Sequence, residues 1–234
     1  MPERWRLEVE RGPAADLHRR SAELAGGGDG RLLRVLDAAA PALVLGSGQP
    51  IGDVDAAAAS RAGVAVVRRR SGGGAVLVGP GEVLWVDLII PAGDPLWDPD
   101  VGRAAWWVGE AWASALETAG VGPTGVWKGA MRVSRWSPQV CFAGLGPGEV
   151  TAGGRKVVGV SQRRTRGAAL FQTAALLRWD PARTVELLTL EPAEAAAATA
   201  SLSTAARGLG GEQAGAVLRG LQDALTEHGP VAGA

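Results

Sequence analysis

Two hydrophobic periods alternate along the chain. Residues 14–26 (AADLHRRSAELAG) bring apolar side chains round at helical spacing and run into the break GGGDG, which predicts a helix. Residues 42–46 (ALVLG) read as a buried strand that ends in a Gly/Ser/Gln/Pro turn. Residues 53–63 (DVDAAAASRAG) predict a helix with Asp53 or Asp55 as N-cap and Gly63 just past its end. A strand over 64–68 (VAVVR) follows, and residues 83–90 (VLWVDLII) barely alternate, the mark of a strand buried on both faces. Residues 100–120 form a long helix rich in Ala and Trp, although Trp106, Glu110 and Leu116 do not share one face. Strands are expected over 156–162 (KVVGVSQ) and 168–177 (AALFQTAALL), joined by a basic turn at 163–167. From Pro192 to His228 the pattern is Ala-rich helix, broken at 208–211. The central strands lie close together in sequence. That predicts an α/β (α+β) fold, a mixed and largely antiparallel sheet with flanking helices, in one domain over 1–234 whose tail is helical from about 192.

Composition narrows the function classes. At 47% hydrophobic and 21% charged residues, the 234-residue chain can bury a sizeable core. Twenty-four basic residues balance 24 acidic ones, whereas a dedicated nucleic-acid binder usually carries a basic excess, so no nucleic-acid partner is expected. The single cysteine, Cys141, excludes an intrachain disulfide framework and points to a cytoplasmic setting. The first twenty residues lack the apolar segment of a secretory signal, and no uncharged apolar run approaches the roughly 18–20 residues that span a bilayer.

The sharpest chemical feature is Arg68-Arg69-Arg70-Ser71-Gly72-Gly73-Gly74-Ala75-Val76, directly after a predicted strand. Three successive glycines let backbone N–H groups approach an oxyanion or acyl carbonyl, and neighbouring arginines can grip phosphate or carboxylate. The same string is equally a flexible hairpin turn with solvated arginines. No GK[ST] follows it and it lacks GxGxxG spacing, so it is neither a P-loop nor a dinucleotide fingerprint. Lys156 opens an apolar strand, where an ammonium either reaches out from an exposed edge or turns into a pocket. Cys141 stands in a loop-like stretch, as a small buried hydrophobe or as a nucleophile. Asp98 and Asp100 sit in a Pro-rich turn that can hold a cation or be only a turn, and the run from Arg163 to Arg166 can steer an acidic partner or be solvated.

Three blocks in order carry a family resemblance. RRRSGGGAV is similar to the lipoate-binding loop of lipoate–protein ligases, with pattern RR-x-[ST]-GGGAV. Leu43-Val44-Leu45-Gly46-Ser47-Gly48-Gln49 resembles the family's strand ending in G-x-x-Q, and residues 154–164 (GRKVVGVSQRR) resemble its lysine strand. The resemblance spans residues 42–177. It implies a biotin/lipoate protein ligase-like catalytic fold, Lys156 beside the activated acyl group, and Arg70, Ser71, Gly72, Gly73, Gly74, Ala75, Gly159, Val160 and Ser161 as substrate-binding positions. The arrangement of Cys141, Phe142, Glu149 and Gly154-Arg155-Lys156 is closest to the octanoyltransferase branch, whose cysteine bears the acyl thioester. Gly148-Glu149 replaces the ligases' asparagine–aspartate pair, and Gln172-Thr173 replaces a histidine–glycine pair. Residues 78–82 (VGPGE) stand where many relatives have H-D-x-G-N. Neither His18 nor His228 lies near a motif, so chemistry is expected from Cys141 and Lys156 without histidine or a protein-bound metal.

The activity implied is transfer of an octanoyl or lipoyl group to a lysine of a lipoyl-domain carrier: the glycine cleavage H protein or a 2-oxoacid dehydrogenase E2 subunit, with acyl carrier protein a further candidate partner. As a transferase the enzyme needs no cofactor. The alternatives are a ligase that uses ATP and Mg2+ to make lipoyl-AMP, and a non-catalytic accessory protein that binds a lipoyl group or its carrier.

Overall fold

The computed structural model describes residues 4–27, 30–227 and 231–232, so His228 lies outside the described residues. The large sheet runs from edge to edge through Val231–Ala232 (β11), Trp5–Gly12 (β1), Arg31–Ala38 (β2), Val83–Pro91 (β6), Ala168–Leu176 (β10), Arg155–Arg164 (β9), Val150–Ala152 (β8) and Thr124–Val126 (β7). Within this sheet, among the described residues, only the β11–β1 and β1–β2 pairs are parallel. A small sheet is built from Ala65–Arg68 (β4), Ala42–Leu45 (β3) and Val76–Val78 (β5) in that spatial order. The expected mixed, largely antiparallel sheet with flanking helices is the observed architecture.

The pattern of β6 explains the layering. Leu84, Val86, Leu88 and Ile90 point to one face, where they join the main core with Val108, Trp112 and Leu116 of helix α3 (Trp106–Thr118) and Val217, Leu221 and Leu225 of α6 (Ala214–Thr226). Trp85 and Ile89 point the other way, and Trp85 packs with Leu17 of α1 (Ala14–Leu24) and Val44 and Val78 of the small sheet. α3 showed no clean stripe because it is wedged between sheet and α6. At that crossing a Cβ on Gly220 would stand 3.0 Å from the Ala115 backbone, so only glycine lets the helices approach so closely.

Asp55, one of the two offered caps, receives the Ala58 N–H at 2.8 Å and starts α2 (Ala56–Arg61), and Gly63 follows it at φ +63°. Residues Pro181–Val185 (α4), Pro192–Ala205 (α5) and α6 supply the helices of the carboxy-terminal third. The sequence pattern did not predict strands β1, β2, β5, β7, β8 and β11. No helix among the described residues is long and apolar enough to cross a membrane.

Candidate active site

The glycine loop is held from below by one arginine. Arg69 is buried and donates to the carbonyls of Val44 (3.1 Å), Gly72 (2.6 Å) and Gly74 (3.0 Å). Burial lowers its pKa from the usual arginine value, while the neighbouring Cys141 and Glu149 act in the opposite direction. Arg68 donates to the carbonyls of Gly46 and Gln49, and Arg70 is exposed. The guanidinium beneath the loop is therefore that of Arg69 rather than of Arg70. Gly73 adopts φ +97°, and a Cβ there would lie 2.9 Å from an Arg69 nitrogen and 3.6 Å from the Cys141 sulfur. A Cβ on Gly74 would fall 2.7 Å from the Val140 nitrogen. Among the described residues, none of the N–H groups of Gly72, Gly73 and Gly74 has a backbone acceptor, so they can donate to a ligand.

Cys141 is docked onto this loop. Its N–H donates to the Ala75 carbonyl at 3.0 Å, and the Ala75 N–H donates to the Gln139 carbonyl at 2.8 Å. Gln49 is buried and adds a bond from Nε2 to the same Gln139 carbonyl at 3.1 Å. The sulfur stands where two hollows meet. A narrow apolar pocket runs inward past Phe142, Gly159 and Val76 to Trp85 and His18. A wider groove opens outward past Gly72–Gly74, Gly146 and Glu149. Cys141, Val160 and Ser161 line both and so mark the mouth of the pocket. Gly159 keeps it open, since a Cβ there would come within 3.2 Å of the Phe142 ring.

A row of polar residues crosses four strands along the pocket face. Arg34 of β2 is in register with Asp87 of β6, Asp87 with Gln172 of β10, and Gln172 with Ser161 of β9. Ser71 of the glycine loop donates to Gln172 Oε1 at 2.8 Å and lies 3.0 Å from the Ser161 hydroxyl. Gln172 Nε2 reaches His18 Nδ1 at 2.9 Å and Asp87 Oδ2 at 3.4 Å. Burial raises the Asp87 pKa, against hydrogen bonds from Ser21, Trp85 and Gln172 and the Arg34 charge.

His18, far from every motif in sequence, thus lines the pocket. Burial, then the Arg69 charge, lowers its pKa to about 3. The unfolded chain would bind a proton near pH 6.5 that the native state refuses, so this residue costs stability as pH falls from 6.5 towards 3, by up to about 1.4 kcal/mol per pH unit. Asp87 has the opposite sign, its contribution being lost as pH rises through its raised pKa. Urea midpoints of the wild type and His18→Leu, compared at pH 7 and pH 4.5, should therefore converge or cross as acid is added. A constant difference between the two proteins would show that His18 titrates normally.

Lys156 does not enter the pocket. It is buried and its ammonium pairs with Glu149 at 2.6 Å, while donating to the carbonyls of Cys141 (2.9 Å) and Gly144 (3.1 Å) over the Phe142 ring. Glu149 in turn accepts the N–H groups of Gly146 (2.7 Å) and Val160 (3.2 Å). The lysine braces the Cys141 turn from behind. Of the weaker candidates, Arg164 is tied to the Asp98 and Pro99 carbonyls and stacks on Trp97. Asp98 accepts from the Asp100 N–H and pairs with Arg103, so the Asp98–Asp100 segment is a turn.

The model of the lipoyl protein ligase A/B catalytic domain matches residues 16–210. The chain belongs to that family. It is an enzyme of the class that attaches lipoate or octanoate to proteins. No curated protein matches it in sequence. Among solved structures it is similar to the protein Ta0514 of T. acidophilum with bound lipoic acid, at TM-score 0.73 and 19% identity over 99% of this chain and 87% of that one. A lipoate-protein ligase A bound with ATP aligns at TM-score 0.70 and 19% identity, covering 99% of this chain and 87% of that one. The bipartite lipoate protein ligase of an archaeal lipoylation system from Thermoplasma acidophilum, studied with its E2 lipoyl domain, aligns at TM-score 0.72 and 18% identity, covering 99% and 85%. At these identities the likeness is one of fold.

Proposed function

We propose that this lipoylation-family enzyme transfers an octanoyl or lipoyl group to a lysine of a lipoyl-domain carrier protein through a thioester on Cys141. The observation that carries the reading is the position of the Cys141 sulfur, at the mouth of an apolar pocket and at the inner end of an open groove. The pocket is apolar, as an acyl chain that gains by leaving water requires, and its cavity of about 50 Å³ has to widen to admit a medium-length chain. The groove suits the donor's polar end and then the incoming lysine. In the first step the sulfur attacks the donor thioester carbonyl; the Cys141 S–C bond forms, the donor C–S bond breaks, and the donor thiol leaves with the proton. In the second, the carrier's ε-amine attacks the Cys141 thioester, an amide forms, and the cysteine sulfur is released. The free amides of Gly72–Gly74 are available to the carbonyl oxygen as it gains charge, and the Arg69 guanidinium lies beside the sulfur. A lipoyl-domain partner is supported by the similar archaeal ligase studied with its E2 lipoyl domain.

The second reading, an ATP-dependent ligase, is favoured by the likeness to a ligase bound with ATP. In it the groove beside the glycine loop would take the nucleotide. The ammonium of Lys156, committed to Glu149 and two carbonyls, is unavailable to the acyl group in either reading. Intact mass spectrometry after mixing the enzyme with octanoylated carrier protein tests the proposal. A hydroxylamine-labile octanoyl adduct on Cys141 is expected without ATP. An unmodified protein that nonetheless turns over would overturn the thioester route.

A further inference from the structure

The far wall of the pocket is not what a saturated chain requires. His18 and Trp85 close it, with ring centroids 4.4 Å apart. The proton on His18 can be located from its neighbours. Ser71 donates to Gln172 Oε1, so the Gln172 nitrogen is the atom facing His18 Nδ1, at 2.9 Å. An amide nitrogen is a donor, so Nδ1 accepts and the neutral ring carries its hydrogen on Nε2. No hydrogen bond of Nε2 is found among the described residues, and it is not one of their buried unpaired atoms, so it is open to the pocket that His18 lines. A donor thus stands beside the aromatic face of Trp85, in a cavity whose apolar lining comes from Val44, Val76, Val78 and Phe142.

We infer that His18 is a specificity-determining residue that favours a lipoyl group over an octanoyl group. The inference rests on the acyl-pocket reading above. Both acyl groups have the same eight-carbon chain, but the lipoyl end carries two ring sulfurs. A sulfur is a weak acceptor for an N–H and packs favourably against an aromatic ring. A methyl end offers the imidazole nothing and leaves a desolvated donor unpaired. Gln172 and Asp87 make the device rigid: the carboxylate holds the amide, the amide holds the imidazole, and the tautomer cannot reverse without breaking both contacts.

Calorimetric titration of the full-length protein with free lipoic and octanoic acids tests the inference apart from any chemistry at Cys141 or use of ATP. The wild type is expected to bind lipoic acid about tenfold more tightly, the size of a single lost buried contact. In His18→Leu the ratio should fall to near one, chiefly by weaker lipoic acid binding. His18→Gln, which keeps both an acceptor and a donor, should retain part of the preference, and this guards against a simple folding defect. Equal affinities in the wild type, or an undiminished ratio in His18→Leu, would overturn the role of His18 and leave the transferase reading intact. Failure of both acids to bind would remove the acyl pocket, and this inference with it.

Discussion

Cys141→Ser is expected to lose carrier modification by orders of magnitude when an acyl-thioester donor is supplied without nucleotide. A neutral hydroxyl is a far weaker nucleophile than a partly ionised thiol, and the nearest described imidazole, His18, is held neutral by burial and engaged with Gln172. No adjacent base is therefore offered to activate a serine. The substitution is nearly isosteric, so the pocket, the glycine loop and the hydrogen bond from residue 141 to the Ala75 carbonyl should persist and acyl binding should survive. Donor thioester and product amide differ favourably in energy, so a two-step transfer through Cys141 would need no ATP. A ligase reverses the pattern: free lipoate with ATP suffices, and the serine variant is nearly as active as the parent. Modified lipoyl domain should be measured by gel shift for both proteins, with each donor, with and without ATP. ATP-dependent modification from free lipoate that survives Cys141→Ser would end the transferase assignment.

Short local patterns were the legible part of the site. The triple glycine, the G-x-x-Q turn and the lysine strand are contiguous strings, and β6 and β10 are uniform enough to read as buried strands. What depends on register was not legible. Which of Arg68, Arg69 and Arg70 turns inward follows from how the end of β4 meets the loop, and three identical residues carry no mark of it. Asp87 is a charge in an apolar strand, but its partners come from β2, β10 and α1, and Gln172 lies 154 residues from His18. The β1 strand did carry a signal, since Trp5, Leu7 and Val9 alternate with Arg6, Glu8 and Glu10, although half of its residues are charged. Arg34 is likewise a polar residue inside a strand. It is buried, bonds Ser21 and Glu10, and lies behind the carboxylate of Asp87.

Lys156→Ala is expected to destabilise the protein by about 3–5 kcal/mol, the usual consequence of leaving one partner of a buried ion pair alone. A solvated lysine at a strand edge, one of the two placements open from the sequence, would cost almost nothing. Here the ammonium fills the space behind Phe142, and its loss strands the Glu149 carboxylate together with the Cys141 and Gly144 carbonyls. Against a typical total of about 5–15 kcal/mol, that is a large share of the stability. Two further variants separate the charge from the packing. Lys156→Met combined with Glu149→Gln removes both charges while keeping volume, and should recover much of the loss, whereas Glu149→Gln alone leaves a buried ammonium and should be nearly as damaging as Lys156→Ala. Because Lys156 holds the Cys141 carbonyl, the alanine variant should also change the rate at which iodoacetamide alkylates Cys141 under conditions where the protein remains folded. Urea midpoints within about 0.5 kcal/mol of the wild type for Lys156→Ala, with an unchanged alkylation rate, would mean that the pair with Glu149 does not brace the Cys141 turn in solution, and the lysine would again be free to serve an acyl group directly.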